Sequence, residues 1–144
     1  MDKIIVAVDL SDLASVAIDY AASLAKAFKS HVRILHVVAP IPSYLGNEII
    51  TPVMPIDNEE ERLRMNKELE AMADYLQKQG VEVDYELTSG PVIETIIEKA
   101  GIFDADLVVL GAHNHGFLYR AFIGSVCIGV VKHSQCPVLV IPGK

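Results

Sequence analysis

Short, nearly continuous apolar runs rich in β-branched residues alternate along this chain with segments whose apolar positions recur every three or four residues. The runs Ile4 to Val8, Val32 to Val38, Val81 to Leu87, Leu107 to Leu110 and Val138 to Ile141 each predict a strand. Strands apolar on both sides need cover on both faces. The alternation therefore predicts an α/β class fold, a doubly wound open parallel five-stranded sheet of Rossmann-like type with helices on both faces. The third run departs from the others, because Val81, Val83, Tyr85 and Leu87 alternate with Glu82, Asp84 and Glu86. One of its faces is expected to meet water, which marks an edge strand.

Four helices fill the intervals. The first is expected to bury Leu13, Val16, Ala17, Tyr20, Leu24, Ala27 and Phe28 on one face, with Ser11 as its cap. The second spans about Asn58 to Gln79, carries Met65, Leu69, Met72 and Leu76 as its stripe, and stops at Gly80. Glu59, Glu60 and Glu61 complement the positive end of its dipole. The third opens at Gly90-Pro91, with proline at the tolerated first position, and buries Val92, Ile93, Ile96, Ile97 and Ala100. The fourth is expected to open at Gly124-Ser125, ahead of Val126, Val130 and Val131.

Composition narrows the function classes. A chain of 144 residues at 51% hydrophobic supports one core, so 1–144 reads as one domain. A net charge of -7 with scattered Lys and Arg argues against nucleic acid as the main partner. Cys127 and Cys136 sit in neither a CxxC nor a CxxH pattern, which fits a reducing cytoplasm. No basic segment followed by a long apolar run opens the chain, and no stretch of roughly 18 apolar residues occurs, so a soluble, unexported protein is expected.

Candidate chemistry concentrates between Leu107 and Val126, where a buried-strand pattern ends in Gly111 and a loop leads to Gly124-Ser125. Backbone N–H groups at a helix start and the helix dipole both favour an anion there. Asp9, at the end of the first strand, is an acid placed for sugar hydroxyls, or equally a partner of Ser11 in capping the first helix. Ser125 and Gly124 have the corresponding local roles of helix start and turn. His113 and His115 form an HxH without a nearby carboxylate or thiol, too small a set for a metal; one of them, or Arg120, supplies positive charge. His36 reads as a packed core residue, His31 and His133 as surface groups, and Cys127 as a small hydrophobe. The connection Ala39 to Asp57 carries four prolines among apolar residues and leaves the ligand-binding end of the second strand, which suits either a lid or a loop folded on itself. Neither GxxxxGK[ST] nor GxGxxG is present, and no carboxylate base stands near Gly124, so phosphoryl transfer is not supported beyond slow hydrolysis of a held nucleotide. A phosphorylated receiver domain would need paired acids beside Asp9, and these are missing.

The segments Ile4 to Ser11, Ile34 to Val38, Gly90-Pro91, Asp104 to Gly111 and Cys136 to Ile141 resemble the universal stress protein family over nearly the whole chain. That family's nucleotide-binding branch is marked by Gly-x2-Gly-x9-Gly-[Ser/Thr], which falls here on Gly111, Asn114, Gly124 and Ser125. Asparagine replaces the second glycine, with Gly116 two residues on; it is the next best residue for a left-handed backbone. The resemblance implies an adenine nucleotide alpha hydrolase-like fold and a bound adenine nucleotide: ATP, or ADP or AMP, with Mg²⁺ carried by the phosphates. It places Asp9 on ribose or adenine, Val37 backbone on the adenine edge, Gly111, His113, Asn114 and Gly116 under the phosphates, and Gly124, Ser125 and Val126 on their oxygens. It also implies a homodimer through Pro137 to Pro142 and a stress-response role. Two other functions stay open: the same fold working through protein contacts without nucleotide, and a weak ATP hydrolase.

Overall fold

The computed structural model describes residues 1–12, 14–40, 44–49, 55–112 and 117–142, with backbone alone at 44, 45, 49, 112 and 117–123. Strands β1 (Lys3–Ala7), β2 (His31–Val38), β5 (Glu82–Ser89), β6 (Leu107–Ala112) and β7 (Val138–Pro142) form one parallel sheet in the order β5-β2-β1-β6-β7. All five expected strands are present, and β5 is an edge as its alternation requires. Its acidic side is only partly wet, because Asp84 pairs with Arg33 and Glu86 with Lys99. The order reverses between β1 and β6. Helices α1 (Ala14–Phe28) and α2 (Glu59–Lys78) pack on one face, and α3 (Val92–Phe103) and α4 (Phe117–His133) on the other. A two-residue hairpin, β3 (Tyr44–Leu45) with β4 (Glu48–Ile49), interrupts the connection after β2 and turns through Gly46 at φ +64. The rest of the supposed lid, at 41–43 and 50–54, lies outside the described residues.

Central strands are dry on both sides. Ile4, Val6, Val32, Ile34 and Val109 face α1 and α2, whereas Ile5, Leu35 and Val108 face α3 and α4, all fully buried. The α2 stripe is as expected at Met65, Leu69 and Leu76, with Met72 partly buried and Ala73 added. Asn58 caps α2 by accepting the Glu61 N–H, and Gly80 takes up the left-handed turn beyond it at φ +82. At the start of α3 the expectation shifts by one residue: Pro91 is the cap and Val92 the first helical residue. Gly90 before it has φ +143, and a Cβ there would stand 2.9 Å from Thr95 Oγ1. Asp106 ties the N-terminal segment to β6, its carboxylate accepting the N–H groups of Asp2 at 2.6 Å and Lys3 at 3.0 Å.

Three expectations are corrected, while Ser11 keeps its place at the entry to α1. The buried face of α1 is Ala14, Ala17, Ile18, Ala21, Ala22 and Ala25, while Tyr20 and Phe28 are each 52% exposed. Small side chains let this helix lie close against the sheet, and the two rings do not fit that gap; Leu13 lies outside the described residues. Ser11 bonds to Asp9 with both its N–H and its hydroxyl, and its carbonyl accepts the Ala14 N–H. His31 is half-buried and not a free surface group: it lies edge-on to Phe103 at 5.3 Å, with Nε2 3.0 Å from Asp84. Most consequential for function, α4 starts at Phe117 and carries Gly124-Ser125 in its interior. Leu118, Arg120 and Ala121 favour helix, and one interior glycine costs about 1 kcal/mol, too little to end it.

Candidate functional site

Where β1 ends, β2 continues. The last backbone bond between them runs from the Val8 N–H to the Leu35 carbonyl at 2.9 Å, while β2 goes on beside β5 as far as Val38. In a parallel ladder a residue directs both its N–H and its C=O to the same neighbour, and alternate residues address opposite neighbours. Leu35 addresses β1, so Val37 does as well, at a level that β1 no longer reaches. The Val37 N–H and C=O therefore point into the gap beyond the end of β1.

Three residues close that end of β1. Asp9 Oδ1 accepts the Ser11 N–H at 3.1 Å and the Ser11 hydroxyl at 2.6 Å, a local turn that holds the carboxylate at the mouth of the gap. Leu10 between them is left-handed, at φ +61, which turns the chain out of the strand toward α1. Non-glycine residues hold this conformation at a cost of order 1–3 kcal/mol, and such strain gathers at functional sites. The capping and ligand roles of Asp9 are thus compatible: Ser11 orients the carboxylate, and Asp9 is exposed on the cavity wall.

The gap is a cavity of about 220 Å³ at the switch point of the sheet. Of the residues expected to form a site, Asp9, Val37, Gly111 and Val126 line it together. Gly124 and Ser125 do not line it, and as interior residues of α4 they have their N–H groups in the helix and not at its start. His113, Asn114 and Gly116, with His115, lie outside the described residues. So does the side chain of Arg120.

Sequence reasoning missed several wall residues, namely His36, Val92, Ile96, Ala14, Ala17 and Cys127. His36 was legible in principle. It is the one polar residue among Val32, Ile34, His36 and Val38 on a side of β2 that is otherwise buried, and it falls at the ligand-binding end of the strand. Its Nδ1 lies 2.7 Å from the Val8 carbonyl. Burial pushes the Cys127 thiol up, so it stays protonated at neutral pH and forms an apolar wall. Among the described residues no Lys or Arg lines the cavity. It suits a flat, weakly polar group with a hydroxyl-bearing tail near Asp9.

The universal stress protein family model matches residues 1–142. This chain belongs to the universal stress protein family. Universal stress protein Sll1388 of Synechocystis is 30% identical over 149 residues, covering 96% of each chain. The structure of a universal stress protein from Burkholderia pseudomallei superposes with a TM-score of 0.77 at 26% identity, covering 99% of this chain and 96% of that one. The universal stress protein of Archaeoglobus fulgidus in complex with dAMP shares the fold at a TM-score of 0.70 and 24% identity, covering 98% of each chain. The family membership and the doubly wound sheet agree with the sequence analysis. Among the described residues of this universal stress protein, no helix is long and apolar enough to cross a membrane.

Proposed function

We propose that this universal stress protein binds an adenine nucleotide in the crevice beyond the end of β1, as a regulatory module of the stress response in the cytoplasm. The observation that carries the reading is the stagger of β1 and β2, which directs the Val37 N–H and C=O side by side into the cavity. A donor next to an acceptor matches the adenine edge, whose N1 accepts and whose N6 amino group donates. Guanine offers the reverse pair, N1–H and O6, and meets like with like. Asp9 is placed to accept ribose hydroxyls, as a carboxylate can. The dAMP complex of the Archaeoglobus relative supports the same ligand class.

The cavity volume of about 220 Å³ is smaller than the roughly 300–1,000 Å³ of pockets for drug-sized ligands. It takes the base and part of the sugar, and the phosphates extend past Gly111 toward the Phe117 end of α4. That end supplies the N–H groups and positive dipole sought at Gly124. Gly124 and Ser125, farther along α4, stay proposed partners of the phosphate oxygens. Among the described residues no three His, Cys, Asp or Glu side chains gather to hold a metal, so Mg²⁺ with ATP would be carried by the phosphates. Among the described residues of the cavity wall none is a polarising cation, and our reading is of a held nucleotide hydrolysed slowly at most.

Thermal unfolding of protein stripped of nucleotide tests this reading, with Mg-ATP, ADP, AMP and GTP titrated in turn. A ligand at a hundred times its dissociation constant adds ~2.7 kcal/mol, several degrees for a chain of this length. Adenine nucleotides should raise the midpoint saturably and GTP should not, and Asp9→Ala should weaken the response. A flat response to every adenine nucleotide overturns it.

A homodimer through β7 belongs to the same proposal. Of the expected segment Pro137 to Pro142, Val138–Pro142 forms the edge strand β7, Val140 on it is 36% exposed, and α4, which packs on β7, leaves Ile128 and Val131 exposed. Only monomer in light scattering at micromolar concentration would count against it.

A further inference from the structure

We infer that His36 is a positioning residue that keeps the Val37 N–H available for the base, an inference that rests on the adenine reading above. The ladder between β1 and β2 has a definite next rung. After Val8 N–H to Leu35 C=O, continuation would join the Val37 N–H to the Val8 carbonyl and the Leu10 N–H to the Val37 carbonyl. Among the described residues neither bond is made.

Each missing half of the rung has its own cause. The Val8 carbonyl is engaged by His36, whose Nδ1 approaches to 2.7 Å. A carbonyl oxygen only accepts, so Nδ1 carries a proton and donates it to Val8 O. Val8 O is thereby satisfied without help from Val37, and the strands need not close to pair it. The second half is absent where β1 ends, at the Leu10 turn (φ +61) that takes the chain off toward α1. His36 thus leaves the donor, and Leu10 the acceptor, of the pair that faces the cavity. His36 itself lines that cavity together with Asp9 and Val37.

The test compares three substitutions. His36→Leu keeps bulk and removes the donor. His36→Asn places an amide N–H near the position of Nδ1, and His36→Gln places it farther out, near Nε2. Two quantities are read: hydrogen exchange of the Val37 amide in nucleotide-free protein, and the affinity ratio of AMP over IMP by calorimetric titration. His36→Leu and His36→Gln should slow Val37 exchange at least about tenfold as the amide takes up the Val8 carbonyl. Both should also lower AMP affinity about tenfold and shrink the preference over IMP. His36→Asn should restore both quantities, a rescue that loss of packing would not produce. Should His36→Leu fail to fold, the Asn and Gln pair carries the comparison.

Unchanged Val37 exchange and an unchanged AMP preference in the Leu or Gln variant overturn the inference. If wild type binds no nucleotide while Val37 exchange still responds to position 36, the adenine reading fails and the role of His36 in holding the rung open stands.

Discussion

Gly124→Ala separates two accounts of the helix that borders the site. Gly124 is the eighth residue of α4, and a Cβ built on it meets nothing within 4 Å. Its φ is not positive. Replacing an interior helix glycine by alanine removes backbone freedom from the unfolded chain and is worth about 0.8–1.0 kcal/mol. With no collision to offset the gain, the nucleotide-free variant should be more stable by about 1 kcal/mol. At 144 residues that raises the midpoint by about 3 °C. Urea unfolding at 25 °C is the direct assay, since a higher midpoint concentration with an unchanged slope reports stability alone. The same variant titrated with Mg-ATP adds a second reading. If α4 rearranges near Gly124 to grip phosphate, the alanine should gain less from ligand than wild type does. A nucleotide-free variant that is less stable than wild type would refute the reasoning, because it would place Gly124 at a helix terminus needing a glycine-only conformation, as its Gly-Ser sequence first suggested.

Other expectations follow from separate parts of the structure. Asp106 accepts the N–H groups of Asp2 and Lys3, which together hold its carboxyl below the usual range. Its contribution is present above the unfolded value near about 4 and is lost as pH falls through the lower folded value, so Asp106→Asn should be less stable at pH 7 with the gap narrowing in acid unfolding. Ala21→Leu, at a fully buried position of α1 against the sheet, should cost about 1–3 kcal/mol in urea unfolding, whereas Tyr20→Gln should stay within about 0.5. Gly90→Ala forces both φ +143 and a 2.9 Å approach to Thr95 Oγ1, and a loss of more than about 1 kcal/mol is expected by thermal unfolding.

The sheet was legible because strands buried on both faces have little choice of composition, and the edge position of β5 was legible from its Glu82, Asp84 and Glu86. Helix faces were harder. In α1 the apolar arc is wide, bounded by the polar stripe Ser15, Asp19, Ser23 and Lys26, so period alone favoured the largest residues within it, while close packing on the sheet selected the alanines. Gly124-Ser125 misled for a related reason: glycine and serine punctuate helices by propensity, and about 1 kcal/mol of propensity yields to a run of favourable neighbours. At the candidate site, Asp9, Val37, Gly111 and Val126 could be placed together from strand ends and the family motif. The polar break at His36 was legible too, but not its role, which lies in a hydrogen bond to a carbonyl 28 positions away.

The stagger between β1 and β2 also bears on how this crevice can vary. The pair of groups aimed into it belongs to the main chain of residue 37, and every amino acid except proline supplies that pair. Exchange of Val37 for isoleucine, leucine or methionine would alter how much room the cavity leaves while the donor and acceptor stay in place. Base preference and pocket size are therefore inherited separately, one through backbone topology and the other through side chains. A lineage can reshape the walls at Val92, Ile96 and Cys127 around a fixed hydrogen-bonding frame.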